Sequence, residues 1–169
     1  SKSYSLGKNI NSGYYDSDAC VSNDGNTIFF VSERETGKAL GNGDIWTSTS
    51  NSTTSWNKAE NLKAINTEEK EKSPFIHADG KTLFFSSKGH KGMGGYDIFK
   101  SVKQEDGTWS EPQNLGYPIN TPGDEFDFIL SADGKTAYYS TKGSENGKYD
   151  IMKIDLTNYQ VVDAVDVTK

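Results

Sequence analysis

The sequence predicts an all-β fold: a β-propeller of four-stranded antiparallel blades, about three of them in this chain. Three observations carry that prediction. Short stretches recur at a nearly constant spacing, each recurring unit reads as four strands joined by turns, and the composition favours strands over helices. Aromatic residues make up 12% of the 169 residues and glycines number 17, which suits short strands and turns.

The recurrence is read directly from the residues. "SNDGNTIFFVS" from Ser22, "HADGKTLFFSS" from His77 and "SADGKTAYYST" from Ser131 are variants of one element. "GDIW" at Gly43, "YDIF" at Tyr96 and "YDIM" at Tyr149 form a second. Asp24, Asp79 and Asp133 lie 55 and 54 residues apart, and Asp44, Asp97 and Asp150 lie 53 and 53 apart. "SWNKAENL" and "TWSEPQNL" set Trp56 and Trp109 53 apart, while "LGKNIN", "LKAIN" and "LGYPIN" begin at Leu6, Leu62 and Leu115.

Within a unit the elements follow in order. "SPFIH" is the first strand. The Asp-Gly after it is a hairpin turn, since glycine supplies positive φ and aspartate bonds its own backbone. "TLFFSS", β-branched and aromatic, is the second strand; a variable loop leads to the third, "YDIFKSV". A polar turn such as "KQEDG" precedes a fourth strand around Trp109 to Leu115. A lone sheet of this kind leaves an apolar face wet, so the units must stack. The blades are expected at about 12–66, 67–120 and 121–169 of a single domain, with 1–11 completing a preceding blade or closing the ring. Closed propellers usually have at least four blades, so the chain reads as part of a larger propeller, or as half of a symmetric pair.

Composition narrows the function. The net charge is −6, and Arg34 is the single arginine among 18 basic residues, so no basic stripe suggests nucleic acid. One cysteine, Cys20, excludes an internal disulfide framework. No apolar run is long enough to span a membrane as a helix. The opening "SKSYSLGKN" reads as a mature or trimmed start.

On "SPFIHADGKTLFFSSKGHKGMGGYDIFKS", "DGTWSEPQNLGYPINTPGDE" and "SADGKTAYYSTKG", the chain resembles the WD-like, TolB-type propeller repeats of periplasmic envelope proteins over roughly residues 6 to 155. Members with these motifs precede an OmpA-like peptidoglycan-binding domain, and several accompany the type IX secretion system. The resemblance implies a periplasmic or outer-membrane-associated setting, a partner in the envelope, and a peptidoglycan-binding module outside this chain. Val162 stands where the third unit should carry its tryptophan, and the tail "NYQVVDAVDVTK" departs from the pattern. That tail reads as a terminal strand or the start of a next module.

Repetition also sorts the candidate residues. Residues present in the units serve the blade: Asp24, Asp79 and Asp133 in the turns, Asp44, Asp97 and Asp150 on strand three, Trp56 and Trp109 on strand four. Calcium is the alternative for the strand-three aspartates, but D-x-[DN]-x-[DN]-G is absent. Residues found in one unit only are candidates for partner binding: Arg34, His77, His90, Lys91 and Met93; Tyr96, which Tyr149 matches, is a further candidate. Of these, Arg34 between Glu33 and Glu35 reads as a solvated charge cluster, and His77 as hydrogen-bonded packing. Cys20 aligns with Phe75 and Ile129 and is expected to be a small buried hydrophobe. "GHKGMGGYDIF" invites a phosphate-loop reading, but a strand follows it where a phosphate loop needs a helix. The long loops between strands two and three share one end with the segments joining the blades, and that end is the expected contact face.

No metal, cofactor or catalytic constellation emerges: two histidines, no H-E-x-x-H, and too few arginines for a sialidase-type cluster. The expected function is a non-catalytic envelope module for protein–protein interaction or scaffolding. The alternative is a glycan-binding or glycan-processing propeller, whose carboxylate pairs the 24 acidic residues leave open.

Overall fold

The computed structural model describes residues 2–52, 55–142, 147–159 and 161–162. The chain is all-β, in three antiparallel sheets. The first contains β1 (Asp16–Val21), β2 (Thr27–Ser32) and β3 (Asp44–Ser52), with two short pieces, β4 (Ser55–Trp56) and β5 (Glu60–Asn61), both pairing β3. The second runs β6 (Glu71–Ile76), β7 (Thr82–Ser87), β8 (Asp97–Val102) and β9 (Gln113–Asn114). The third runs β10 (Asp124–Leu130), β11 (Thr136–Lys142) and β12 (Tyr149–Asp155). The terminal strand expected in the tail falls mostly on residue 160 and residues 163–169, outside the described residues.

The Asp-Gly turns form as their chemistry requires. Gly25, Gly80 and Gly134 have φ of 74°, 68° and 71°. Asp24, Asp79 and Asp133 each accept the N–H two residues on, at 3.0, 2.8 and 3.0 Å. The fourth strand is much shorter than expected. In the second sheet only Phe99↔Asn114 and Lys100↔Gln113 pair, with a single bridge at Lys103↔Trp109. Pro112 lies between them and has no N–H to give a ladder.

The aromatic doublets of the second strands explain how the sheets stack. Successive strand residues point to opposite faces, so a doublet needs cover on both sides. Phe85 faces the first sheet, in a core with Phe29, Val31, Ile45, Ile65 and Leu83. Phe84 faces the third, with Ile98, Ile119, Phe128, Leu130 and Tyr139. β7 is accordingly buried at every position. In the third sheet Tyr139 is buried while its neighbour Tyr138 is exposed, because among the described residues one face of that sheet has a neighbour and the other does not.

Polar side chains close each junction. The Asn66 amide donates to Ile45 O and accepts from Ile45 N–H, both at 2.8 Å. Asn120 does the same to Ile98, at 2.9 and 2.8 Å. One turn further on, a carboxylate collects donors from the linker and the second strand. Glu71 accepts from Thr67 N–H, Thr67 Oγ1 and Ser87 Oγ at 3.0, 2.7 and 2.8 Å. Glu125 accepts from Thr121 and Thr141, and Asp16 from Ser12 and Ser32, in the same arrangement. Burial pushes the Glu71 carboxyl up, against the hydrogen bonds from Thr67 and Ser87.

Asn66→Ala leaves the N–H of fully buried Ile45 without its partner, while the Ile45 C=O keeps the Leu62 N–H at 3.1 Å. At roughly 1–3 kcal/mol for a stranded group, the expected loss in urea unfolding is about 1–3 kcal/mol. Asn11→Ala, at the exposed counterpart, is expected to change stability by less than about 0.5 kcal/mol. Equal losses at the two positions would refute the bridging role.

Candidate functional site

The first strand of each sheet carries a bulge at the same place. The registers β1–β2, β6–β7 and β10–β11 each slip by one residue, between Ser17 and Cys20, Lys72 and Phe75, and Phe126 and Ile129. At each slip a non-glycine residue takes left-handed backbone: Asp18 at φ 49°, Ser73 at 49° and Asp127 at 56°. Such residues are uncommon outside turns, and bulges gather at functional sites because they re-aim a side chain.

Here they aim three side chains at one another. Ser73 Oγ donates to Asp127 Oδ1 at 2.7 Å, and Ser73 N–H donates to Asp18 Oδ2 at 3.3 Å. These three residues, with Lys72, Phe126, Ser140 and Tyr149, line a cavity of about 460 Å³. An aromatic row continues from it: Tyr96 to Phe126 at 4.9 Å and Phe126 to Tyr149 at 6.0 Å between ring centroids. Lysines sit over those rings. Lys72 Nζ lies 5.5 Å from Tyr96 and 5.9 Å from Phe126, and Lys142 Nζ lies 5.8 Å from Tyr149. Burial raises the Tyr96 hydroxyl, helped by the charges of Asp124, Glu71 and Glu69, so it stays a neutral donor. The site therefore combines fixed acceptors, flat rings and two cations, a set that binds without needing a reactive group.

Of the six residues singled out as contacts, only some reach this region. Tyr96 is in the aromatic row, and Lys91 and Met93 are exposed on the loop leading into β8. Arg34 corrects the sequence reading. It is not a solvated charge: its residue exposure is 9%, and its Nη2 lies 3.0 Å from Asp16 and donates to Ile10 O at 2.5 Å. Its guanidinium covers Phe30 and Trp46, at 5.1 and 4.8 Å from the rings. His90 fills the same role in the second sheet, with Nε2 2.7 Å from Ile65 O and its ring 6.1 and 5.2 Å from Phe85 and Phe99. Two residues that look unmatched in sequence thus do one job, because a planar cation and an imidazole both cap an aromatic pair.

His77 is fully buried, as packing. Its Nε2 lies 3.2 Å from Ser131 O in the third sheet's turn, and its Nδ1 3.4 Å from Asp79. Ser22 and Ser131, its counterparts, bond Asp24 and Asp133 at 2.5 and 2.6 Å.

The residues assigned to architecture divide. Asp44 accepts the N–H groups of Leu40 and Gly41 and the Asn61 amide, and Asp97 those of Met93 and Gly94, fastening the loop before each third strand. Asp150, at the same register, is exposed. Trp109 meets Phe29 edge-on at 5.9 Å between the first two sheets, while Trp56 packs on the Ile10, Phe30 and Trp46 cluster. Cys20 is half-buried, with Ile76 N–H 3.2 Å from its sulfur; burial pushes the thiol up. The glycine stretch is a loop whose glycines permit close approach: a Cβ at Gly94 would fall 1.9 Å from Gly123 O, and one at Gly92 would strike the Asp97 carboxylate.

Among the described residues, no three or more His, Cys, Asp or Glu side chains gather as a metal site. Sequence reasoning missed Asp18, Ser73 and Asp127. The available signal was their spacing of 55 and 54 residues, masked because the residue types differ. Compared with known proteins, the chain matches no family model, and no curated protein matches it.

Burial works against a charged His77, but the hydrogen bonds to Asp79 and the Ser131 carbonyl outweigh it, and the imidazole is raised above its ordinary value. A raised histidine contributes stability that is complete below its unfolded value, near 6.5, and is lost as pH rises through the folded value. The melting temperature should fall as pH is taken upward from about 6.5. His77→Ser, the residue found at 22 and 131, should flatten that slope. An unchanged slope in the variant would show that His77 is not its source.

Proposed function

We propose that the three sheets are successive blades of a β-propeller and that the chain is a non-catalytic binding module of the cell envelope. The convergence of β1, β6 and β10 through Ser73 supports the radial arrangement, since inner strands of stacked blades meet in this way. The resemblance to TolB-type envelope repeats supports a periplasmic or outer-membrane-associated setting and an OmpA-like, type IX secretion-associated parent.

The observation that carries the binding reading is the aromatic row beside the cavity. Tyr96, Phe126 and Tyr149, with Lys72 and Lys142 over them, make a contact strip at the end where the long loops and linkers gather. Aromatic residues anchor protein interfaces because they bury large area for little rotamer entropy. Lys91 and Met93 extend the strip along the preceding loop. A protein partner is the first reading. A glycan is the second, favoured by the Asp18 and Asp127 carboxylates beside flat rings, which suit sugar hydroxyls and ring faces.

Tyr149 is 57% exposed, so Tyr149→Ala leaves the fold intact. Loss of an anchor worth about 2 kcal/mol lowers affinity roughly 30-fold. Quantitative pull-down from envelope extracts with the wild type, Tyr149→Ala and a chain with residues 88–96 replaced by Gly/Ser checks this. Reduced recovery with Tyr149→Ala supports the strip. Full recovery with both variants removes it.

A further inference from the structure

Ile45, Ile98 and Ile151 hold one register position, opposite Val31, Ser86 and Ser140 on the strand before. The first two are 0% exposed, whereas Ile151 is 83% exposed. Around it the same sheet face is open: Ile129 is 50% exposed and Tyr138 42%. This is an apolar face on a strand that has no paired neighbour beyond it among the described residues.

What covers that position is visible twice in the same molecule. At Ile45 and Ile98 an Ile-Asn segment lies across the strand; its Asn bridges the strand's N–H and C=O, and its Ile enters the core with the next sheet. The N–H and C=O of Ile151 point away from β11 in the same register, and no asparagine reaches them among the described residues.

The complementary half is at the other end of the fold. Leu6–Asn11 has the same pattern as the two bridging segments. Ile10 is docked on the first sheet, packed with Ile28, Phe30, Trp46 and Ala59 and held by the Ala59 N–H to Asn9 O bond. Asn11 is exposed, and its amide donates to Ser5 Oγ at 2.9 Å instead of to a strand.

We infer that this surface binds a second copy of the chain, head to tail. Asn11 of one copy bridges the N–H and C=O of Ile151 in the other, and the first sheet's leading face covers Ile129, Tyr138 and Ile151. Two such contacts related by a two-fold axis close on themselves as a dimer with six sheets. The recognition is the one the chain already uses between its own sheets. It does not depend on the partner-binding strip proposed above.

Sedimentation velocity from about 10 μM to about 1 mM is the test. The wild type is expected to form a reversible dimer. Asn11→Ala and Ile151→Lys, both at exposed positions and checked for unchanged thermal melting, should each weaken it about 10-fold or more. An equimolar mixture of the two variants keeps one intact contact and should form a heterodimer more readily than either variant self-associates. A wild type that stays monomeric throughout overturns the inference. So does wild-type-like association by Asn11→Ala, which would mean edge-to-edge pairing of β12, or a mixture that shows no rescue.

Discussion

The asparagine bridge is the interaction on which the rest of the structure depends. A short strand edge, such as those of β3 and β8, offers main-chain groups that a two-residue fourth strand cannot all satisfy. Asn66 and Asn120 supply donor and acceptor together to one buried residue, Ile45 or Ile98. An amide side chain carries a donor and an acceptor side by side, so it can replace both halves of a ladder step. Because the adjacent Ile65 or Ile119 packs into the next core, the same linker joins hydrogen bonding in one sheet to apolar burial against the following one.

A second layer of ties follows the same logic with charges. Asp16, Glu71 and Glu125 sit at the start of the first strands and gather hydroxyl and N–H donors from the linker and the second strand. In the first sheet Arg34 joins this cluster and also covers Phe30 and Trp46, while in the second His90 covers Phe85 and Phe99. The need at each place is a planar group packed against two rings plus a donor to the linker carbonyl. Either residue meets it, which is why identity in sequence is a poor guide to equivalence of role.

The candidate site is a by-product of the same stacking. Bulges in three first strands turn Asp18, Ser73 and Asp127 toward one point, and the strand starts bring Phe126 and Tyr149 beside them. The left-handed backbone at three non-glycine residues persists because both flanking registers of each strand are fixed by pairing. A site built from three strands of three sheets has the rigidity of the stack, and its variable surroundings come from loops fastened by Asp44 and Asp97.

The all-β class, the strand order within each unit and the Asp-Gly turns were legible from the residues alone. They depend on local chemistry: positive φ at glycine, β-branched and aromatic residues in the strands, and a spacing that recurs. Tyr96, Lys91 and Met93 were also legible as members of the loop-rich end. His77 was legible as hydrogen-bonded packing, and Pro112 limits the fourth strand locally, whereas the burial of Arg34 and the meeting of Asp18, Ser73 and Asp127 were decided by tertiary structure. Arg34 is covered by Ile10, Asp16, Phe30 and Trp46, which the folding of the first sheet brings together, and the three bulge residues meet only because other sheets bring them near, across about 54 residues of chain. Ile98 and Ile151 make the point most simply, for the same residue in the same register is buried in one sheet and open in the next because, among the described residues, only one of them has a neighbouring sheet over it.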